Sequence, residues 1–139
     1  MALIDIDGAL IQAYIDMGLS LSTAYEGADF NPPNNTNWAA VFIIPASSDA
    51  ATLGAGGMDE HLGFMQIDFN VRPGTGRAQL LSYAQSVRTA FIAGKTFTRN
   101  SQMVTVESVN RSPVRHVDGW MRISMSVNWI ARTIRPEIT

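Results

Sequence analysis

Residues 61–72 read HLGFMQIDFNVR, and their alternation decides the fold class. Met65, Ile67, Phe69 and Val71 fall on one face of an extended chain, with Gln66, Asp68 and Asn70 on the other. A period of two marks a strand with one face in a core. Residues 120–129 repeat the pattern, with Met121, Ile123, Met125, Val127 and Trp129 opposite Arg122, Ser124, Ser126 and Asn128. Half-buried strands need a covering layer, and the chain supplies two amphipathic helices for it.

The first helix is predicted within residues 2–19, where Ile4, Leu10, Ile11, Tyr14 and Ile15 recur near helical spacing despite Gly8. The second follows the turn Pro73-Gly74-Thr75-Gly76: Leu80, Leu81, Ala84, Val87, Arg88 and Phe91 recur at that spacing, and Gly94 ends it. A short strand is predicted at 23–26, a mostly buried one at 38–45, and a hairpin at 95–99 and 102–110 turning at Asn100 and Ser101. Residues 27–37 carry Pro32, Pro33 and four asparagines and read as irregular, as do the turn-rich residues 112–119. Residues 46–60, with small side chains and Gly54, Gly56 and Gly57, read as a flexible loop, and residues 130–139 as an extended tail. The order is α-β-β-β-α-β-β-β. Without βαβ alternation, the expected architecture is α+β: one domain over 1–139, mainly an antiparallel sheet with two helices packed on it.

At 139 residues and 46% apolar content, one modest core is expected. No cysteine is present, so disulfides, thiolate nucleophiles and cysteine-ligated zinc are excluded together. The first twenty residues lack the basic start of a secretory signal, and no apolar run nears the roughly 20 residues that span a bilayer. The expectation is a soluble protein with no membrane partner. Charge is divided sharply. Residues 1–71 hold nine acids and no base, a formal −9, while residues 72–139 hold ten bases and three acids, a formal +7. Such asymmetry suggests interaction surfaces of opposite sign, or two halves that interleave and neutralise each other.

The search for catalytic chemistry returns little. With His61 and His116 as the only histidines, a triad or zinc site has few candidates, and both read as solvated loop residues. Asp5, Asp7 and Gly8 resemble the start of a calcium loop, but Leu10 holds the position that needs glycine, so an acidic first helical turn explains them. Residues 73–77, PGTGR, lie where phosphate-cradling loops occur but lack the lysine and a third glycine; Thr75 or Gly76 reads as a helix cap. Asn34-Asn35-Thr36 and Asn110-Arg111-Ser112 match the glycosylation pattern and read as turns. Arg99, Arg111, Arg115, Arg122, Arg132 and Arg135 gather in the last third, yet a single lysine and no basic motif interleaved with aromatics argue against sequence-specific nucleic-acid binding. No catalytic residue, metal or cofactor is expected.

The order of short motifs is informative. After the first helix come Ala24-Tyr25-Glu26-Gly27, Phe30-Asn31-Pro32-Pro33 and Val41-Phe42-Ile43-Ile44-Pro45, then Thr52-Leu53-Gly54 and Gly57. The strand at 63–71 and Pro73-Gly74-Thr75-Gly76 follow, leading to Ala84 and Phe91. Over roughly residues 4–97 the chain resembles the tail terminator proteins of long-tailed bacteriophages and a related phage family.

The resemblance implies a structural virion protein at the head-proximal end of the tail, assembled in the host cytoplasm. Its subunits would form a homohexameric ring on the last layer of the tail tube, stop tube growth and offer a surface for head–tail joining. Its partners would be other copies of itself, the tail tube protein and the head–tail connector protein, with DNA passing the lumen unbound. Another connector subunit, an adaptor or stopper, would share these assembly physics, and a nucleic-acid-binding module would differ by steep salt dependence. A ring needs one patch that binds a different patch on the next copy. Asp59, Glu60 and Asp68 are the acids expected to meet Arg72 and Arg77 of the adjacent subunit.

Overall fold

Residues 58–71 pair antiparallel with residues 121–134 along fourteen consecutive positions, from Met58 opposite Ile134 to Val71 opposite Met121. This ladder is the centre of the molecule. The computed structural model describes residues 2–54, 56–74 and 76–135. In chain order it contains α1 (Ala2–Asp16), β1 (Ser22–Tyr25), β2 (Trp38–Ala50), β3 (Met58–Val71), α2 (Ala78–Ala90), β4 (Thr96–Arg99), β5 (Gln102–Arg111), β6 (Arg115–Val117) and β7 (Trp120–Ile134). The fold is α+β in the expected order, with the turn-rich 112–119 stretch supplying the added short strand β6.

The strands form one sheet in the order β1-β2-β3-β7-β5-β4, with β6 on β7 beyond β5. All pairs are antiparallel except β1 with β2, which run parallel. The sheet is thus mainly antiparallel, as expected, with one parallel pair at its edge. The irregular residues 27–37 are long enough to bring the chain back to the same end of the sheet before β2 begins.

Alternation does what it predicts. Met65, Ile67, Phe69 and Val71 of β3 and Ile123, Met125 and Val127 of β7 are completely buried on one face, and burying each contributes about 1.5–3 kcal/mol. Both helices cover this face. α1 packs on β4, β5 and β7, and α2 on β3 and β7. α2 buries Leu80, Tyr83, Ala84 and Val87, one helical stripe, and Phe69 stacks on Tyr83 with ring centroids 5.1 Å apart. α1 buries Ile6, Ala9, Leu10, Ala13 and Tyr14, whereas Ile4 and Ile15 stay exposed. The apolar stripe is therefore rotated from the expected one: Ala9 and Ala13 allow close approach to the sheet. Gly8 has a further reason, since a Cβ there would lie 2.7 Å from the Arg99 side chain.

Several boundaries differ from expectation. Residues 46–60 are mostly strand: β2 continues through a bulge between Pro45 and Ser47 to Ala50, and β3 starts at Met58. Cross-strand partners supply the order that local propensity lacks, because Ser48 Oγ and Thr133 Oγ1 both lie 2.8 Å from the His61 ring nitrogens. The predicted tail is likewise the end of β7 as far as Ile134, and residues 136–139 lie outside the described residues. α2 ends at Ala90, before Gly94, with the Phe91 N–H bonded to the Val87 carbonyl. Arg77 is its N-cap and makes no side-chain cap bond; the alternative cap Thr75 lies outside the described residues. His61 and His116 sit in strands β3 and β6, not in loops.

Candidate functional site

An open sheet invites pairing at its edges, and both edges here are blunted in part. β1 covers β2 only as far as Val41. Beyond it, the Ile43 N–H donates to Glu26 Oε1 at 2.7 Å, Pro45 has no N–H to offer, and the bulge follows. At the opposite edge β4 is four residues long, preceded by Lys95 and ending in Arg99. Main-chain pairing with another sheet is disfavoured at these two places, while β5 beyond Val106 runs past the cover of β4. Side chains are a further means of assembly.

The acids and bases expected at an interface occupy distinct environments. Asp59 pairs with Arg135 at 2.6 Å and Glu60 with Arg132 at 3.0 Å within the same chain. Asp68 is 6% exposed; it accepts from Ser124 Oγ at 2.5 Å and from Gln66 Nε2 at 3.0 Å, and Arg115 donates to the same Ser124 hydroxyl at 2.7 Å. Arg72 lies over the Trp120 ring, 5.1 Å from its centroid, and Arg77 is exposed at the start of α2. Part of the charge asymmetry is thus neutralised internally, by two ion pairs among the described residues. The remaining charges are distributed over the sheet. Glu26 closes β1 and its charge acts on Asp7, and Asp49 lies near the end of β2, whereas Asp5 accepts from Asn100 of the β4–β5 turn at 2.9 Å and Glu107 lies in β5. Lys95 and Arg99 lie at β4, while Arg115 and Arg122 bond Ser124 and Asn70 on the β3–β7 ladder.

Between α1 and the β2–β3 hairpin runs a groove of about 380 Å³ lined by Leu3, Ile6, Asp7, Ile43, Pro45, Ser48, His61 and Trp129. Its apolar walls carry an acidic rim. Partial burial, followed by the charge of Glu26, holds the Asp7 carboxyl above the usual aspartate range. The Trp129 indole N–H is buried without an acceptor among the described residues. Neither Asp7 as a rim acid nor Lys95 stands out in the sequence. Glu26 lies inside the Ala24-Tyr25-Glu26-Gly27 motif, and a charged residue closing a short strand is the available signal.

Ser48 and His61 resemble half of a nucleophilic dyad, but the second ring nitrogen faces the Thr133 hydroxyl where a dyad would have a carboxylate to orient the ring. The hydroxyl–imidazole–hydroxyl row instead ties β2, β3 and β7 together. Among the described residues no three His, Cys, Asp or Glu side chains are grouped to hold a metal, and no helix is long and apolar enough to cross a membrane. The larger concavity, about 700 Å³, is an open groove that includes Met58, Met103, Ile130 and Ile134 at the C-terminal end of β7.

The fold has a solved counterpart. A protein structure named without a function superposes with a TM-score of 0.73 at 15% identity, covering 95% of this chain and 96% of that one. This shows a shared fold. No curated protein matches the sequence. A family model described as phage tail terminator protein matches residues 6–129, which extends the resemblance through β4, β5 and most of β7. With this match over most of its length, the chain belongs to the phage tail terminator family, whose role in the tail is structural.

Proposed function

We propose that this chain is the subunit of a ring, expected to be a homohexamer, that caps the tail tube, stops its polymerisation and offers the surface to which the head–tail connector joins. The observation that carries this reading is the family match over residues 6–129, supported by local charge of opposite sign at the two edges of the sheet, Asp7 and Glu26 beside β1 and β2 and Lys95 beside β4. Patches of opposite sign on different sides favour head-to-tail contact and penalise a symmetric face-to-face pair. Arg72 and Arg77, at the end of β3 and the start of α2, belong to the proposed interface, with Asp59, Glu60 and Asp68 acting through their present partners. DNA would pass the lumen without specific binding, past a lining expected to be neutral or acidic.

Native mass measurement and negative-stain imaging of the chain, alone and with purified tail tubes, test the reading. Closed rings, or discs seated on tube ends, are the expected result. A chain that neither self-associates nor binds tube ends overturns it. Rings that bind portal or connector assemblies and ignore tube ends would assign the chain to an adaptor or stopper position.

A further inference from the structure

Two surface features stand at the same level on opposite sides of the sheet. One is the acid-rimmed groove, with Leu3, Ile43 and Pro45 as exposed or half-buried apolar wall and Asp7 and Glu26 at its edge. The other is the tight turn of residues 92–95 that leads from α2 into β4. It is closed by the Lys95 N–H on the Ile92 carbonyl at 2.9 Å and fixed to β5 by two hydrogen bonds with Val106, of 2.7 and 2.8 Å. This turn carries Ile92, 58% exposed, and the exposed Lys95, whose ammonium lies 5.2 Å from the centroid of the Phe97 ring on the adjoining strand.

One rung of the sheet joins the two features. Lys95 bonds Val106, Val106 pairs with Trp129, Trp129 with Gly63, and Gly63 with Pro45. Four strand spacings separate β2 from β4, roughly 19 Å, so the groove is out of reach of its own turn. A neighbour displaced across the strands, with little shift along them, brings turn and groove to one height.

We infer that the groove between α1 and the β2–β3 hairpin receives the 92–95 turn of a second copy of this chain, with Ile92 entering between Leu3, Ile43 and Pro45 and Lys95 meeting Asp7 and Glu26. The inference rests on the ring reading above and adds to the interface proposed at Arg72 and Arg77 a second contact between neighbouring copies. The occupant is a second copy because the turn carries both properties that the groove asks for, an apolar side chain and a positive charge. Because groove and turn are different patches, the contact repeats head to tail.

Two charge reversals test it in the full chain. Lys95→Glu spoils the turn and Asp7→Lys spoils the groove; both positions are exposed, and a cooperative melt no lower than the parent's establishes that each variant folds. Each alone is expected to raise the concentration needed for assembly, in solution or on tube ends, roughly tenfold or more. Mixed in equal amounts they are expected to assemble again. In an alternating ring the acidic turn of one variant meets the basic groove of the other at one contact, and the native pair of Lys95 with Asp7 is kept at the next. Single variants that assemble like the parent, or a mixture that fails to recover, overturn the assignment while leaving a ring-forming parent intact. A parent that assembles under neither condition overturns the ring reading itself, and this contact with it.

Discussion

Glu26 Oε1 accepts the backbone N–H of Ile43 at 2.7 Å, just past the point where β1 stops alongside β2. A carboxylate thus occupies a position that a neighbouring strand would otherwise take. Replacing it by alanine exposes the edge amide. Glu26→Ala is predicted to cost about 0.5–1.5 kcal/mol in denaturant melts, the net worth of one such bond, and to increase disordered self-association seen by sedimentation. Glu26→Gln keeps an acceptor and should lose less stability.

Asp7 provides a pH test. Its folded-state carboxyl binds a proton more tightly than in the unfolded chain, first because of partial burial and then because of Glu26. The sign follows from linkage: this group favours folding when protonated, and that contribution is lost as pH rises through its raised folded pKa. Asp7→Asn should therefore melt above the parent at pH 7, and the gap should close as pH falls below about 3.9, the ordinary aspartate value. A gap that widens on acidification would contradict the assignment. The effect is modest because the side chain is largely exposed.

Gly63 leaves the space that Trp129 fills. A Cβ there would sit 2.5 Å from the Trp129 ring and 2.7 Å from the Ile44 carbonyl oxygen, a backbone atom that cannot step aside. Gly63→Ala is predicted to destabilise by about 1–3 kcal/mol through overpacking, measured by thermal or denaturant unfolding. Because Trp129 also lines the groove, the same variant should weaken assembly; a ring that forms normally from it would separate groove shape from the contact.

What is legible in the sequence follows the physics of each signal. Alternation at 61–72 and 120–129 reveals the central ladder because burial on one face imposes a period of two that survives any context. Residues 46–50 and 58–60 escape it, since Ser47, Ser48 and Asp49 have poor strand propensity and are ordered by partners distant in sequence, His61 and Thr133. The parallel β1–β2 pair is invisible because nothing local reports which neighbour a four-residue strand will take. Asp68 reads as a solvent-facing acid by alternation, yet Ser124 and Gln66, on the face opposite the helices, enclose it. Alternation tells which face a side chain is on, not whether polar neighbours close over it. The groove needs α1 placed against the β2–β3 hairpin, a tertiary relation that no spacing encodes.

Arg135 clamps the tip of that hairpin. Its guanidinium pairs with Asp59, donates to the carbonyl of Gly54 at 2.9 Å and to that of Thr52, and its backbone N–H bonds the Gly57 carbonyl at 2.8 Å. The turn also has bonds of its own, from the Ala51 and Thr52 N–H groups to the Met58 carbonyl and from the Met58 N–H to Thr52 Oγ1, while Leu53 is 91% exposed. Arg135 adds to these the ties that hold the turn to the end of β7. Arg135→Ala is predicted to speed amide exchange across 51–58 by tenfold or more, about the 1.5–3 kcal/mol of a charge-assisted bond, and to leave exchange in the β3–β7 ladder near its parent rate. If assembly or tube binding also requires this turn to be ordered, the variant will bind tube ends more weakly although its core melts normally. Uniformly faster exchange throughout the sheet would show instead that the clamp belongs to the global fold.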